Sequence, residues 1–314
     1  MDKGDRRGGM RLLTAGDLHL TDKQPEKRLD NYPEVQRNKM EFILQTYQDY
    51  KCDCLIQPGD FFDYWKVSEY LKAEYLRLLH LYNDPQIFTI YGQHDLKFHS
   101  ANHDDTHLRV MKNANAIDIL HNGITEFGTL ILYGSSWGEP IPDYKSKSNY
   151  KHILVTHRMV IKNKKVWQGQ EEYDTALTLL KKTKFDYIIT GDNHQSFTCD
   201  YQGRKLINCG SLMRSNIGQS EHRPSIWIID TNTGDEEQIF IPIVPFNEVF
   251  DVAKDKEEKK VNKNLDLYTK ELGKIVNKPK KLSFVINLQK RLKDPAIKKP
   301  ERAIIDEVME GVKV

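Results

Sequence analysis

The chain has 314 residues, 39% of them hydrophobic and 10% aromatic, enough to bury a full core and build one large domain with an appendage. No apolar run approaches the ~20 residues that span a bilayer, and residues 1–9 are charged and glycine-rich with no apolar signal core, so a cytoplasmic protein without a membrane role is expected. The net charge of +2 is too small to demand a nucleic-acid partner.

Residues 1–9 read as a flexible extension. Arg11 to Ala15 is a short apolar run ending in Gly-Asp, which predicts a buried strand. Helical spacing through Val35, Met40, Phe42, Ile43 and Tyr47 predicts a helix over 34–50. A strand over 53–57 is stopped by Pro58-Gly59, a second helix covers 67–82, and a third strand covers 86–90. That order implies parallel pairing through right-handed crossovers. A third helix is expected over 104–113, then short strands near 117–120, 124–127 and 130–133. Buried strands at 152–155 and 187–189 flank a helix at 171–182. Beyond 194 the pattern turns to hairpin strands at 197–201, 205–208, 225–230 and 238–244. Two sheets packed face to face with helices outside satisfy this order.

Residues 10–250 form the expected catalytic body and 251–314 a basic appendage. The appendage holds 17 Lys and Arg against 11 Asp and Glu, which leaves the rest of the chain at −4. Helices are expected at 265–276 and 302–312 around a β-like stretch at 282–288. Leu265, Leu267, Leu272, Ile304, Ile305 and Val308 suit either a docking face for a partner or packing on the protein's own body. The four cysteines have no CxxC spacing, which argues against a zinc ribbon or disulfide framework and fits a reducing cytosol.

Five short pieces then stand out, each just after a predicted strand: Gly16-Asp17-Leu18-His19, Gly59-Asp60-Phe61-Phe62-Asp63, Gly92-Gln93-His94-Asp95, Thr156-His157 and Gly191-Asp192-Asn193-His194. Ligands bind at that edge of an open α/β sheet. A lone Asp-x-His or buried His is most often structural, but five such pieces in series suit two divalent cations. Two metals about 3.5–4 Å apart can clamp a phosphoryl group for in-line attack. Asp60 is the candidate bridge between them. Gln93 offers an amide oxygen, Asp17 and Asp192 carboxylates, and His19, His157 and His194 ring nitrogens. His94 is the candidate acid for the leaving oxygen. Mixed N/O ligands without Cys suit Mn²⁺ best, with Mg²⁺, Fe²⁺ or Zn²⁺ as alternatives. His80, His99, His103, His107, His121, His152 and His222 read as surface or packing residues, although His99 and His103 could line a groove.

At these residues the chain resembles the calcineurin-like metallophosphoesterases, whose pattern is D-x-H, GD-x-x-D, GNH-D/E, a later His and G-H-x-H. The resemblance covers roughly residues 11–245 and implies a four-layer α/β/β/α sandwich. It implies a first metal on Asp17, His19, Asp60 and His194, and a second on Asp60, Gln93, His157 and Asp192. His94 would be catalytic, with Asp63 and Asp95 in support. Gln93 stands where the family has Asn, and Asp192 where it has His. Both departures fall on the second metal, which predicts either a shifted, harder site or a crippled one.

Within that superfamily the chain is most similar to SbcD-type DNA exonuclease subunits, in a shortened, phage-like version. The similarity rests on Arg28-Leu29-Asp30 and on Asn208-Cys209-Gly210-Ser211-Leu212-Met213-Arg214-Ser215. It implies DNA as substrate in repair or recombination, an SbcC-like SMC-type ATPase as partner, and a homodimer contact on the 67–82 helix. Ser211 and Arg214 are candidate phosphate contacts. A small-nucleotide or phosphoprotein esterase, and a metal-binding assembly subunit, are the alternatives.

Overall fold

The computed structural model describes residues 9–100, 103, 105–120, 123–163 and 170–252. The expected elements at 265–276, 282–288 and 302–312 lie outside the described residues, as do most of the N-terminal extension and His121.

The elements, in chain order, are β1 (Arg11–Ala15), α1 (Tyr32–Asp49), β2 (Cys54–Gln57), α2 (Glu69–Leu81), β3 (Ile87–Thr89), α3 (His107–Asn113), β4 (Asp118–Ile119), β5 (Ile124–Phe127), β6 (Leu130–Ser135) and β7 (Lys151–His157). They continue with β8 (Val160–Ile161), β9 (Asp174–Thr175), α4 (Ala176–Lys182), β10 (Tyr187–Gly191), β11 (Phe197–Tyr201), β12 (Arg204–Asn208), β13 (Ser225–Asp230), β14 (Glu236–Phe240) and α5 (Phe246–Val249).

Two six-stranded sheets result, in the orders β14-β13-β1-β2-β3-β4 and β11-β12-β10-β7-β6-β5. Their centres are parallel: β1 with β2, β2 with β3, β6 with β7, and β7 with β10. The hairpin strands add antiparallel pairs at the edges, β13 with β14 and β11 with β12.

Alternation along the central strands sorts side chains into layers. Leu12, Ile56, Ile153, Val155 and Ile189 meet between the sheets. Leu13 and Leu55 face the other way, onto Met40, Ile43 and Leu44 of α1 and Leu78 of α2. Leu154 and Ile188 pack against Leu179 and Leu180 of α4. Helices therefore cover both outer faces, and the expected α/β/β/α sandwich is the observed fold.

Three details differ from the sequence reading. The helix expected over 171–182 begins only at Ala176, because Asp174 and Thr175 pair with Val160 and Ile161, and the Thr175 side chain then caps the helix by accepting from the Thr178 N–H. The last strand is Glu236–Phe240 rather than 238–244, since its register with β13 ends at Ser225↔Phe240 and Pro242 and Pro245 follow. The short α5 carried no sequence signal. No helix among the described residues is long and apolar enough to cross a membrane.

Candidate metal centre

The five sequence pieces converge at one edge of the sandwich. His157 is the last residue of β7 and Gly191 the last of β10, and the two are paired in register. Thr156-His157 thus ends its strand rather than following it. The β1 and β2 loops are joined by the Asp60 carbonyl, which accepts from the backbone N–H of Leu18 at 3.1 Å and of His19 at 3.0 Å. The Asp60 carboxylate accepts the His94 N–H at 2.8 Å, and Asp17 accepts the Asp192 N–H at 3.0 Å. The third and fifth loops are therefore each held by a carboxylate of another loop.

Three of the candidate ligands sit in the left-handed region, with φ of 46° at His19, 53° at Asp60 and 74° at Asp192. Such conformations cost about 1–3 kcal/mol each and collect at functional sites. Gly191 has a packing reason to be glycine: a Cβ there would lie 2.5 Å from Asp17 Oδ1 and 2.7 Å from His157 Nδ1.

The side chains converge closely. His19 Nε2 and His194 Nε2 are 3.1 Å apart. Asp60 Oδ2 lies 3.7 Å from His19 Nε2 and 3.3 Å from His157 Nε2, and Asp17 Oδ2 lies 3.7 Å from His194 Nε2. Gln93 and Asp192 together line two adjoining cavities. Asp17 Oδ1, Asp60 Oδ2 and His157 Nε2 are buried without a hydrogen-bond partner. His157 Nδ1 donates to the Pro58 carbonyl at 2.7 Å, which leaves Nε2 as the nitrogen aimed at the cluster, as in a metal-ligating imidazole. Asp17, His19 and His194 alone offer three atoms within 4.8 Å of one another. Unsatisfied oxygens and converging ring nitrogens are the donor set that divalent cations take.

Protonation follows the same crowding. Burial pushes the Asp17 carboxyl up to about 7, against the pull of His157. Burial also opposes charge on Asp60, but His157 and His19 hold that carboxyl below the usual range. His157 is buried too, yet Asp60 and Asp17 raise it well above its ordinary value. Burial works against charge on His19, but Asp63, Asp60 and Asp17 lift it to about 9. Burial and the neighbouring His19 push His194 down to about 4.

The nominated supporting residues stand behind the cluster. Asp95 is buried and accepts from the backbone N–H groups of Phe61, Phe62 and Gly92 at 3.2, 3.0 and 3.0 Å. The Asp63 carbonyl accepts from His94 Nδ1 at 2.9 Å, and its carboxylate lies 3.5 Å from His19 Nδ1. Ser211 adjoins the fifth loop, whereas Arg214 lies at another cavity. The Ser211 N–H already donates to the His194 carbonyl at 3.2 Å, so it steadies the fifth loop rather than facing a phosphate. Arg214 is buried at a separate cavity lined by Arg28, Lys39 and Val244, and it donates to the Val244 carbonyl at 2.5 Å.

Several positioning residues escaped the sequence reading. Gln36 of α1 donates to the His19 carbonyl at 2.7 Å and accepts from Thr21 at 3.0 Å, which clamps the first loop. Asn208 donates to the carbonyls of Asn193 and Gln195, both at 2.6 Å. Gln219 Nε2 is 3.4 Å from His194 Nδ1, and His222 Nε2 donates to the Ser211 carbonyl at 2.7 Å. The available signal was polarity inside apolar surroundings, as at Gln36 and Asn208, but their partners are set only by the fold.

Interlinked strand-end loops, orphaned carboxylate oxygens and convergent imidazoles form a candidate divalent-metal centre. Residues 10–196 match the calcineurin-like phosphoesterase family, and the chain belongs to that family. It is accordingly a metal-dependent phosphoesterase. No curated protein is similar to it in sequence. Among solved structures, a protein of Thermus thermophilus is 12% identical, covering 74% of this chain and 100% of its own, with a TM-score of 0.47. A novel archaeal phosphodiesterase is 17% identical, with 74% and 99% covered and a TM-score of 0.41. A dimetal phosphatase from Danio rerio is 9% identical, with 74% and 99% covered and a TM-score of 0.44.

Proposed function

We propose that the chain is a phosphodiesterase acting on DNA, a nuclease subunit for repair or recombination that works beside an SMC-type ATPase. The observation that carries this reading is the shape around the centre. Cavities of about 940, 780 and 470 Å³ all reach Gln93, and His94 lines the first and the last. A small-ligand site is usually one enclosed pocket of about 300–1,000 Å³. Three depressions meeting at the candidate metal ligands suit a polymer that enters on one side and leaves on another.

In this reading Asp17, His19, Asp60 and His194 hold one cation, and Asp60, Gln93, His157 and Asp192 hold the second. Bound there, the cations would polarise the scissile phosphoryl group and offset its charge. The amide and carboxylate oxygens of Gln93 and Asp192 make the second set harder, which favours Mn²⁺. His94 is anchored through Nδ1 on the Asp63 carbonyl, so in its imidazolium form the Nε2–H is the one left to protonate the leaving oxygen. The body's net charge of −4 weakens unaided DNA binding, and the basic residues 251–314 or a partner would supply the missing cations.

The test is Mn²⁺-dependent cleavage of end-labelled linear duplex and single-stranded DNA across a salt series. Cleavage that falls steeply with salt is expected. Hydrolysis of bis-p-nitrophenyl phosphate with no cleavage of either DNA, alone or with the ATPase, would overturn the DNA assignment and leave the phosphoesterase standing.

A further inference from the structure

The 470 Å³ cavity beside His94 is walled by aromatic side chains that the metal chemistry does not use. Tyr64 and Trp65 have ring centroids 5.8 Å apart, and Trp65 and Phe98 are 6.1 Å apart. Lysines stand beside them: Lys23 Nζ lies 5.4 Å from the Tyr64 ring centre, and Lys97 Nζ, which is ion-paired with Asp105, lies 4.9 Å from that of Trp65. Exposure reaches 46% at Tyr64 and 77% at Phe98. Phe98 has a φ of 53°, a conformation that bulky residues rarely adopt, and it puts a large apolar ring into solvent. Core packing explains neither the exposure nor the backbone.

Aromatic faces interleaved with cations, in a groove that ends at a phosphoesterase centre, match one class of ligand. Bases stack on the rings, and a lysine such as Lys23 meets a phosphate between them. Bases within a duplex already have both faces stacked, so only unpaired bases can use such a surface. A protein partner could also cover exposed rings, but nothing would then require the strip to lead to Gln93 and His94.

We propose that Tyr64, Trp65 and Phe98 form a stacking platform for unpaired bases of single-stranded nucleic acid, whose backbone passes Lys23 and enters the centre at His94. This rests on the nuclease reading above and narrows it to single strands or frayed ends.

The experiment measures binding of a labelled phosphorothioate oligothymidylate and of a blunt duplex, in Mn²⁺, alongside turnover of bis-p-nitrophenyl phosphate. Tyr64→Ala and Phe98→Ala should each weaken single-strand binding about tenfold, with duplex binding and reporter turnover unchanged. Tyr64→Trp and Phe98→Tyr should keep the affinity. Tyr64→Leu and Phe98→Leu retain apolar bulk without a π face and should lose it. Single-strand binding at full strength in the leucine or alanine variants overturns the platform while leaving the nuclease reading intact. An unsubstituted protein that turns over the reporter yet neither binds nor cleaves any DNA overturns the nuclease reading itself, before any variant is made.

Discussion

His157 Nε2 faces Asp60 Oδ2 at 3.3 Å, with both side chains at most 1% exposed and no hydrogen-bond partner for either atom. A buried oxygen and a buried ring nitrogen left in this state are costly unless a third group lies between them. Asp60 Oδ2 also faces His19 Nε2, so a single carboxylate oxygen adjoins both halves of the candidate ligand set. Replacing Asp60 with Asn keeps its shape and removes its charge. Phosphoesterase activity should fall by about 100-fold or more, since even residues outside the ligand set typically cost 10–100-fold. Steady-state rates in saturating Mn²⁺ check this, and activity near the unsubstituted level would remove Asp60 from the bridging role.

His94 contributes differently. Its backbone N–H is bound to Asp60, and its ring is fixed on the Asp63 carbonyl. His94→Gln should lower kcat by about 10²–10⁴-fold, the usual range for a lost general acid. Metal stoichiometry should stay unchanged. Loss of metal together with activity would make His94 a ligand instead of an acid.

Burial raises the Asp192 carboxyl, against the pull of His157 and, after it, of a Gln93 contact that favours the charged form. The two departures from the family pattern therefore behave as a pair. Asp192→His should shift the preferred activating metal from Mn²⁺ toward Zn²⁺, because imidazole suits zinc and carboxylate suits manganese. Activity profiles over a metal series read this out. An unchanged preference would mean that Asp192 does not face the cation.

Protons should compete with metal. His19, raised to about 9, and His157, raised well above its ordinary value, carry protons at neutral pH in the metal-free protein. Ligand nitrogens must lose those protons, so affinity should rise with pH up to about 9, with proton release on binding. Calorimetry in buffers of different ionisation enthalpy counts the protons. Metal affinity independent of pH would contradict the proposed ligands.

The five loops were legible because Asp, His and Gly at strand ends are local signals, and β1, α1 and β2 follow from simple apolar spacing. Asn31 and Pro33 mark the start of α1 within a few residues of the expected boundary. The supporting network was not legible. Gln36 reaches His19 across 17 residues and Asn208 reaches Asn193 across 15, distances that no helical or strand period encodes. Arg214 shows what a local motif leaves open: an Arg near a Gly-Ser turn resembles a phosphate contact, and here its side chain donates to the Val244 carbonyl and lies over the Phe246 ring.

Away from the centre, Lys39 offers a test of the fold. Burial lowers its pKa to about 7 from an ordinary 10.5, helped by Arg28 and Arg214. Between those values the unfolded chain binds the extra proton, so this residue makes stability rise with pH. Below about 7 both states are charged and the full burial penalty is felt. Lys39→Met should abolish that slope in urea melts recorded across the interval. A slope identical to the unsubstituted protein's would show that Lys39 is not the source.

The most direct measurement is the anomalous scattering of crystals grown with Mn²⁺. Two peaks are predicted, one among Asp17, His19, Asp60 and His194, the other among Asp60, Gln93, His157 and Asp192. No peak at these residues, or a single peak at the first set even in excess Mn²⁺, would contradict a two-metal centre.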